Sequence, residues 1–111
     1  MPHLRCRGLT KENVQNIAET LVKEISEITG SPTAHFTVEH IPSEFVATVY
    51  GGDNYPFIEL FWFKRPQEMQ DLVAQCITKI VKNEIGDIGE VAVLVFPLEK
   101  TAYYDNGQHY G

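Results

Sequence analysis

The chain is short of basic residues and has no long apolar run. Its 111 residues include 9 Lys and Arg against 15 Asp and Glu, a formal charge of −6. Without clustered basic side chains to neutralise phosphates, we expect no binding to nucleic acid or to an anionic membrane surface. The longest apolar stretch, Val91–Phe96, is far shorter than the roughly 20 residues of a membrane span, and no apolar signal segment opens the chain. We therefore expect a soluble, cytoplasmic protein with one domain over residues 1–111.

Cysteine is also scarce. Cys6 and Cys76 are too few and too far apart for a disulfide framework or a zinc knuckle, so we interpret both as small buried hydrophobic residues. The four histidines form no helical or cysteine-rich pairing, and no Gly-rich phosphate loop follows a predicted strand. The sequence therefore predicts neither a metal site nor a cofactor.

Two segments have the apolar spacing of amphipathic helices. The first spans about Lys11–Thr29, with Thr10 as the predicted N-cap and Gly30 as the left-handed residue after the helix. The second spans about Pro66–Glu84, and a proline suits its first turn because the missing N–H would be unpaired there anyway. The apolar positions of the two helices are Val14, Ile17, Ala18, Leu21, Val22, Ile25 and Ile28, and Met69, Leu72, Val73, Cys76, Ile77, Ile80 and Val81.

The other apolar residues form short extended runs, followed by a tail over residues 100–111 in which Asn106 and Gly107 predict a turn. Helix residues 12–22 and 67–77 align at an offset of 55, which indicates half-repeats over about 2–50 and 55–97. We therefore predict an α/β fold of the two-layer α+β kind: a tandem β-α-β repeat with pseudo-twofold symmetry, a sheet on one side and two helices on the other. The predicted strands are His3–Arg7, Phe36–Ile41, Phe45–Tyr50, Phe57–Phe63 and Val91–Phe96.

The strand Phe57–Phe63 is apolar on both faces. Ile58, Leu60 and Trp62 alternate with Phe57, Phe61 and Phe63. Two helices can cover only one face of a sheet, and burial of each remaining ring would contribute roughly 1.5–3 kcal/mol. The pattern therefore predicts that other subunits cover the second face.

These features resemble the tautomerase / macrophage migration inhibitory factor superfamily. The similarity lies in a proline that opens the first strand directly after Met1, in the half-chain repeat and in the two-sided central strand. The segments Pro2–Gly8, Tyr55–Glu59 and Tyr103–Gly107 resemble most closely a small bacterial branch of that superfamily with no assigned reaction. The resemblance implies a homotrimer with helices outside and pockets at subunit boundaries around the N-terminal proline.

Pro2 is the candidate catalytic residue. Removal of Met1 would leave a secondary amine, and partial desolvation would lower the pKa of that amine from the usual 7.7–8.0 towards neutrality. Such an amine could act as general base and then as general acid on an enolisable substrate. The alternative is a proline that only starts a strand, where its missing N–H is harmless.

Arg5 and Arg7 share a face with His3, opposite the residues predicted to pack on the helices. An arginine fork can bind a substrate carboxylate, which the substrates of the resembled superfamily generally carry. The alternative is an internal ion pair with Glu59, on the matching face of the central strand.

The resemblance adds further candidates, and the sequence departs from it in places. Lys11 matches a substrate-binding arginine of one superfamily member, although the residues themselves favour solvated surface charge for Lys11 and for Lys64 and Arg65. Tyr103 and Tyr104 match a tyrosine pair and are predicted to bind substrate. A pocket lysine of another branch is replaced here by Ser31, and the polar pocket residues of its last main strand by aliphatic ones in residues 91–95.

The sequence thus predicts a keto–enol tautomerase or isomerase of a small carboxylated compound. One alternative is a non-catalytic homotrimer that binds a small molecule or a protein at its intersubunit pocket. Another is hydration or hydrolysis, with a protonated Pro2 acting as the acid.

Overall fold

The computed structural model describes residues 1–48, 53–86 and 89–111. Two helices pack on a four-stranded mixed sheet, and a two-stranded hairpin ends the chain. No helix in these ranges is both long and apolar enough to span a membrane. The elements are β1 (His3–Arg7), α1 (Lys11–Thr29), β2 (Thr37–His40), β3 (Phe57–Phe63), α2 (Gln67–Ile85), β4 (Ala92–Leu98), β5 (Tyr104–Asp105) and β6 (Gln108–His109), with short 3₁₀ turns at Thr33–His35 and Lys100–Ala102.

The cap residues predicted for α1 are confirmed. The Thr10 hydroxyl accepts a hydrogen bond from the Asn13 backbone N–H at 3.0 Å, and the Asn13 side chain accepts one from the Thr10 N–H. Gly30 ends α1 with φ +76°, a left-handed conformation that costs glycine little. Pro66 stands at the N-cap of α2, so this helix begins one residue later than predicted.

The strand order is β2-β1-β3-β4, with β1 parallel to β2, β3 parallel to β4, and β1 antiparallel to β3. This is the predicted pseudo-twofold arrangement, and Arg5 lies directly across from Glu59 at its centre. The helix offset of 55 is wrong by one, because α1 and α2 are both 19 residues long and begin at Lys11 and Gln67. Their buried positions then coincide, with Ile17 matching Val73 and Leu21 matching Ile77.

One continuous core lies between the sheet and the helices. Leu4 and Cys6 of β1 meet Leu60 and Trp62 of β3 there, all with no exposed surface. The intervening residues of β1 and β3 point to the opposite side, called here the open face. On that face the rings of Phe61 and Phe96 stack at a centroid distance of 4.5 Å.

The predicted strand over Phe45–Tyr50 is wrong for residues 45–48, and residues 49–50 lie outside the described ranges. The Asn54 side chain replaces a strand partner: its Oδ1 accepts from the Phe45 N–H at 2.9 Å, and its Nδ2 donates to the Ser43 carbonyl at 3.0 Å. Val46 is 96% exposed, so the apolar run there does not mark burial.

The predicted turn at Asn106 and Gly107 is confirmed. Both residues have positive φ, 51° and 81°, and they join β5 to β6. Such a turn matches the right-handed twist of the two strands. The hairpin returns to the body of the protein through the Tyr110 N–H, which donates to the Lys100 carbonyl at 3.0 Å.

We expect the two thiols to differ in reactivity. Cys6 has no exposed surface, and burial raises its pKa from 9.0 to about 12, whereas Cys76 is half-buried with a pKa raised by burial and by Glu24. A thiolate-specific reagent at pH 8 should therefore modify Cys76 slowly and Cys6 only after unfolding.

The same pKa shift predicts an alkaline loss of stability. The unfolded chain releases the Cys6 proton near pH 9, whereas the folded chain keeps it to about pH 12. The free energy of unfolding should therefore fall as pH rises through this window, and Cys6→Ala should remove that part of the pH dependence. In the modification experiment, equal reaction of Cys6 and Cys76 with the thiol reagent in the native protein would contradict the burial on which both predictions rest.

Candidate functional site

Pro2 lies at the start of β1 with its ring in the core, at less than 2% exposure. Its carbonyl accepts a hydrogen bond from the Thr37 N–H at 3.1 Å, which joins it to the start of β2. The Met1 amino group donates to the His35 carbonyl at 3.0 Å. Partial burial lowers the pKa of this amino group below its usual 8.0, and Asp105 opposes the shift with a smaller effect. The fold thus holds the chain terminus in a fixed, partly desolvated place.

Arg5 and Arg7 lie on the open face, as predicted, and their partners differ. Arg7 forms the internal ion pair, with its Nε 2.9 Å from Oε1 of Glu59. Glu59 is only 8% exposed. The contact between these two atoms is an ion pair that lacks hydrogen-bond geometry. The buried carboxylate needs a counter-charge, since an unpaired one would be strongly destabilising. The structure therefore gives Arg7 a clear structural role.

Arg5 is less firmly held. Its Nε is 3.7 Å from the Glu39 carboxylate, beyond hydrogen-bond distance, and its guanidinium carbon lies 5.7 Å from the centroid of the Phe61 ring. His3 contacts the same carboxylate at 3.1 Å and also contacts the Thr37 hydroxyl. Arg5 thus has a longer ion pair than Arg7 and is less tightly engaged.

Lys11 does not lie near Pro2 within one chain. Pro2 precedes β1, whereas Lys11 follows it as the first, exposed residue of α1. At about 3.3 Å per residue, β1 alone separates the two by roughly 17 Å. A site that contains both residues requires Lys11 from another subunit.

Tyr103 and Tyr104 have different surroundings at the same end of the sheet as Pro2. Tyr103 packs edge-on against Phe63 at 5.7 Å and against Tyr110 at 5.3 Å. Tyr104 is 61% exposed and contacts only the His109 ring among the aromatic groups of the described residues. The Tyr110 hydroxyl donates to Asp105 at 2.7 Å, and this carboxylate raises the pKa of Tyr110.

Interpreting Arg65 as a solvated surface charge was wrong. Its Nη2 donates to the Ser31 hydroxyl at 2.7 Å, and its Nη1 donates to the Thr29 carbonyl at 3.3 Å. The guanidinium carbon lies 5.9 Å from the centroid of the buried Trp62 ring. No local sequence pattern indicates this contact, because Ser31 and Thr29 lie 34 and 36 residues from Arg65 in sequence. Lys64, its neighbour, is exposed as predicted.

A separate cavity of about 210 Å³ lies beside Pro56, the counterpart of Pro2 in the second half-repeat. The end of α2 and the starts of β3 and β4 surround it, and Asp53 and Glu90 contribute acidic groups. Within the described ranges, no three His, Cys, Asp or Glu side chains come close enough together to hold a metal ion.

Several known proteins share this architecture. A protein of unknown function from Vibrio cholerae O1 biovar eltor str. N16961 is 38% identical, with a TM-score of 0.89 over 98% of this chain and 87% of its own. A DUF1904 domain from Sebaldella termitidis ATCC 33386 is 34% identical, with a TM-score of 0.88 over 99% of this chain and 100% of its own. A wild-type fused 4-OT, described as a symmetric trimer, is 17% identical, with a TM-score of 0.79 over 97% and 95% of the two chains.

The third likeness confirms the predicted tautomerase fold, and the first two show that bacterial proteins of unknown function share this architecture. No curated protein matches the sequence. The model of the "Domain of unknown function (DUF1904)" matches residues 1–109, and the chain therefore belongs to the DUF1904 family.

Proposed function

We propose that this protein is a tautomerase or isomerase of a small carboxylated keto or enol compound, with Pro2 as its general base. The observation that carries the proposal is the position of the chain terminus: it is anchored at the start of β1, and partial burial lowers the pKa of its amine. Removal of Met1 would transfer the free amine to Pro2. A neutral amine near pH 7 is what proton abstraction next to a carbonyl requires.

The proposed step moves one proton. The Pro2 nitrogen accepts the hydroxyl proton of an enol. The resulting ammonium group donates a proton to the enol carbon next to the hydroxyl-bearing carbon, which gives the ketone. The amine returns to its neutral form, so no other reactant is consumed. Measuring the ketonisation of an arylpyruvate enol by protein that begins at Pro2 tests the proposal.

The candidates for substrate binding take different parts in this proposal. Tyr103 and Tyr104 stand at the Pro2 end of the same chain, whereas Lys11 would come from a neighbouring subunit. Between the open-face arginines, Arg5 is the less tightly engaged, because Arg7 neutralises the buried Glu59. A substrate on Arg7 would have to displace that pair, which is costly in a buried setting.

The proposed assembly is a homotrimer formed through the open face. Phe61 and Phe96 stack there beside Leu94, which is 44% exposed, and the fused 4-OT of the same fold is described as a trimer. Burial of this apolar patch by other copies would supply the missing cover for the sheet.

We therefore expect sedimentation at micromolar concentration to give about three times the 12.6 kDa chain mass. Leu94→Glu should dissociate the trimer by placing a charge in the interface. Leu72→Glu is the matched control, because Leu72 is 55% exposed on α2 and away from the open face. A stable monomer of the unchanged protein would contradict the proposal.

A non-catalytic binding protein is the second candidate, and the cavity beside Pro56 favours it. That cavity adjoins acidic groups and a proline whose nitrogen remains in a peptide bond, so it could hold a ligand without acid–base chemistry on proline. Mass spectrometry of the natural protein separates the two functions. Retained Met1 would remove the amine on which catalysis by Pro2 depends.

A further inference from the structure

Arg65 is fixed in one corner of the fold by contacts with three residues. It donates to the Ser31 hydroxyl and to the Thr29 carbonyl at the end of α1, and it lies over the Trp62 ring of β3. Ser31 is itself buried, at 9% exposure, and its carbonyl accepts from the Ser26 hydroxyl at 2.6 Å. The guanidinium is therefore held in a defined place rather than moving freely in solvent.

This corner lies at the end of the sheet where β1 begins. His3 pairs with Phe61, so one more step of the antiparallel register places Pro2 across from Trp62. Both side chains point to the helix side of the sheet, whereas Arg5 and Arg7 point to the open face. Arg65 is thus a cation that the chain itself brings to the same end and the same face of the sheet as Pro2.

The corner has hydrogen-bond donors to spare. A guanidinium has five N–H donors, and the contacts of Arg65 with the described residues engage two of them. A ligand carboxylate at this corner would supply acceptors for the three N–H groups of Arg65 that remain.

We propose that Arg65 binds the carboxylate of the substrate beside Pro2, within a single subunit. The choice of an arylpyruvate-like acid rests on the proposed function, whereas the binding of a carboxylate can be tested without turnover. A planar guanidinium takes a carboxylate through two parallel hydrogen bonds, and the donors left free by Ser31 and Thr29 suffice for that geometry.

Trp62 is the only tryptophan in the sequence, and it lies beneath Arg65, so its fluorescence reports on this corner. Protein that begins at Pro2 is titrated with phenylacetate, an unreactive carboxylate, and with phenylacetamide, its neutral analogue. We expect phenylacetate to bind and Arg65→Gln to raise its Kd at least tenfold. Arg65→Lys should give an intermediate Kd, because it keeps the charge and loses the fork. Lys64→Gln is the matched control and should change the Kd less than twofold.

The neutral analogue separates binding from a structural role. If Arg65 only secured the end of α1, Arg65→Gln would weaken phenylacetate and phenylacetamide alike, and the proposal would fail. It would also fail if the unchanged protein did not bind phenylacetate, or if Arg65→Gln bound it normally. Arg65-dependent binding without turnover of any keto acid would support this proposal and count against Pro2 as base. Turnover that depends on Pro2 and is insensitive to Arg65→Gln would support Pro2 as the base and count against the binding of the carboxylate by Arg65.

Discussion

Protein that begins at Pro2 should ketonise an arylpyruvate enol about 10²–10⁴-fold faster than protein that retains Met1, the range that a positioned general base contributes. Only the processed form has a basic lone pair on the Pro2 nitrogen, because in the unprocessed form that nitrogen is part of an amide and its lone pair is delocalised. The two forms are prepared separately, identified by intact mass, and compared for the rate above buffer.

The comparison is clean because Met1 lies outside the core. Met1 is half-buried, whereas Pro2 and Leu4 are completely buried. The two forms should therefore fold alike, and matching circular dichroism spectra serve as the control. Pro2→Ala is a weaker test, since an N-terminal alanine keeps an amine of similar basicity. Equal rates for the two forms would exclude Pro2 as the base, and inactivity of both across several keto acids would favour the binding protein.

The pH profile gives an independent check on the same amine. Partial burial already lowers the pKa of the Met1 amino group, and the Pro2 nitrogen would stand one residue deeper. A base acts in its neutral form, so kcat/KM should fall as pH decreases through a pKa below the usual 8.0. A rate that instead rises towards acid pH would indicate that protonated Pro2 acts as an acid.

Gly8→Ala should destabilise the protein by at least about 3 kcal/mol, a large part of the 5–15 kcal/mol typical of a folded domain. Gly8 ends β1 with φ +73°, and an added Cβ would lie 1.8 Å from the Tyr55 carbonyl oxygen and 3.2 Å from the Pro56 Cα. These are backbone atoms at the entrance to β3, so they cannot move aside without shifting that strand.

Gly30→Ala provides the matched comparison. Gly30 has nearly the same backbone conformation, φ +76°, but nothing lies within 4 Å of an added Cβ. Its substitution should cost only the left-handed strain of about 1–2 kcal/mol. Urea denaturation of both variants measures the two losses. Equal losses would show that the conformation, and not the close approach to Tyr55, makes glycine necessary at position 8.

The helices could be predicted closely because their signals are local. The apolar period, the Thr10 cap and the left-handed Gly30 all act within a few residues, and α1 has the predicted bounds. The sheet order followed from the repeat, since two β-α-β halves related by a twofold axis bring β1 and β3 together. The segment 45–48 failed for the opposite reason: Asn54, nine residues from Phe45, occupies the backbone groups that a strand would have paired.

The same distinction applies to the candidate site. Pro2 could be identified as a candidate from the sequence, because the basicity of its nitrogen depends first on whether Met1 precedes it. The competition between Arg5 and Arg7 for Glu59 could be stated but not decided, because the register places Arg5 across from Glu59 while the side chain of Arg7 reaches it. Arg65 could not be identified, since Ser31 and Thr29 are brought to it only by the packing of α1 on the sheet.

By itself, then, the sequence determined the periodic elements, their caps, the duplicated order and the two-sided apolar strand, because each depends on neighbours along the chain or on simple alternation. Tertiary structure alone decided which arginine neutralises Glu59 and where Arg65 is held. These outcomes depend on side chains that reach across the sheet and between layers. Residues that are distant in sequence become neighbours only when the core closes.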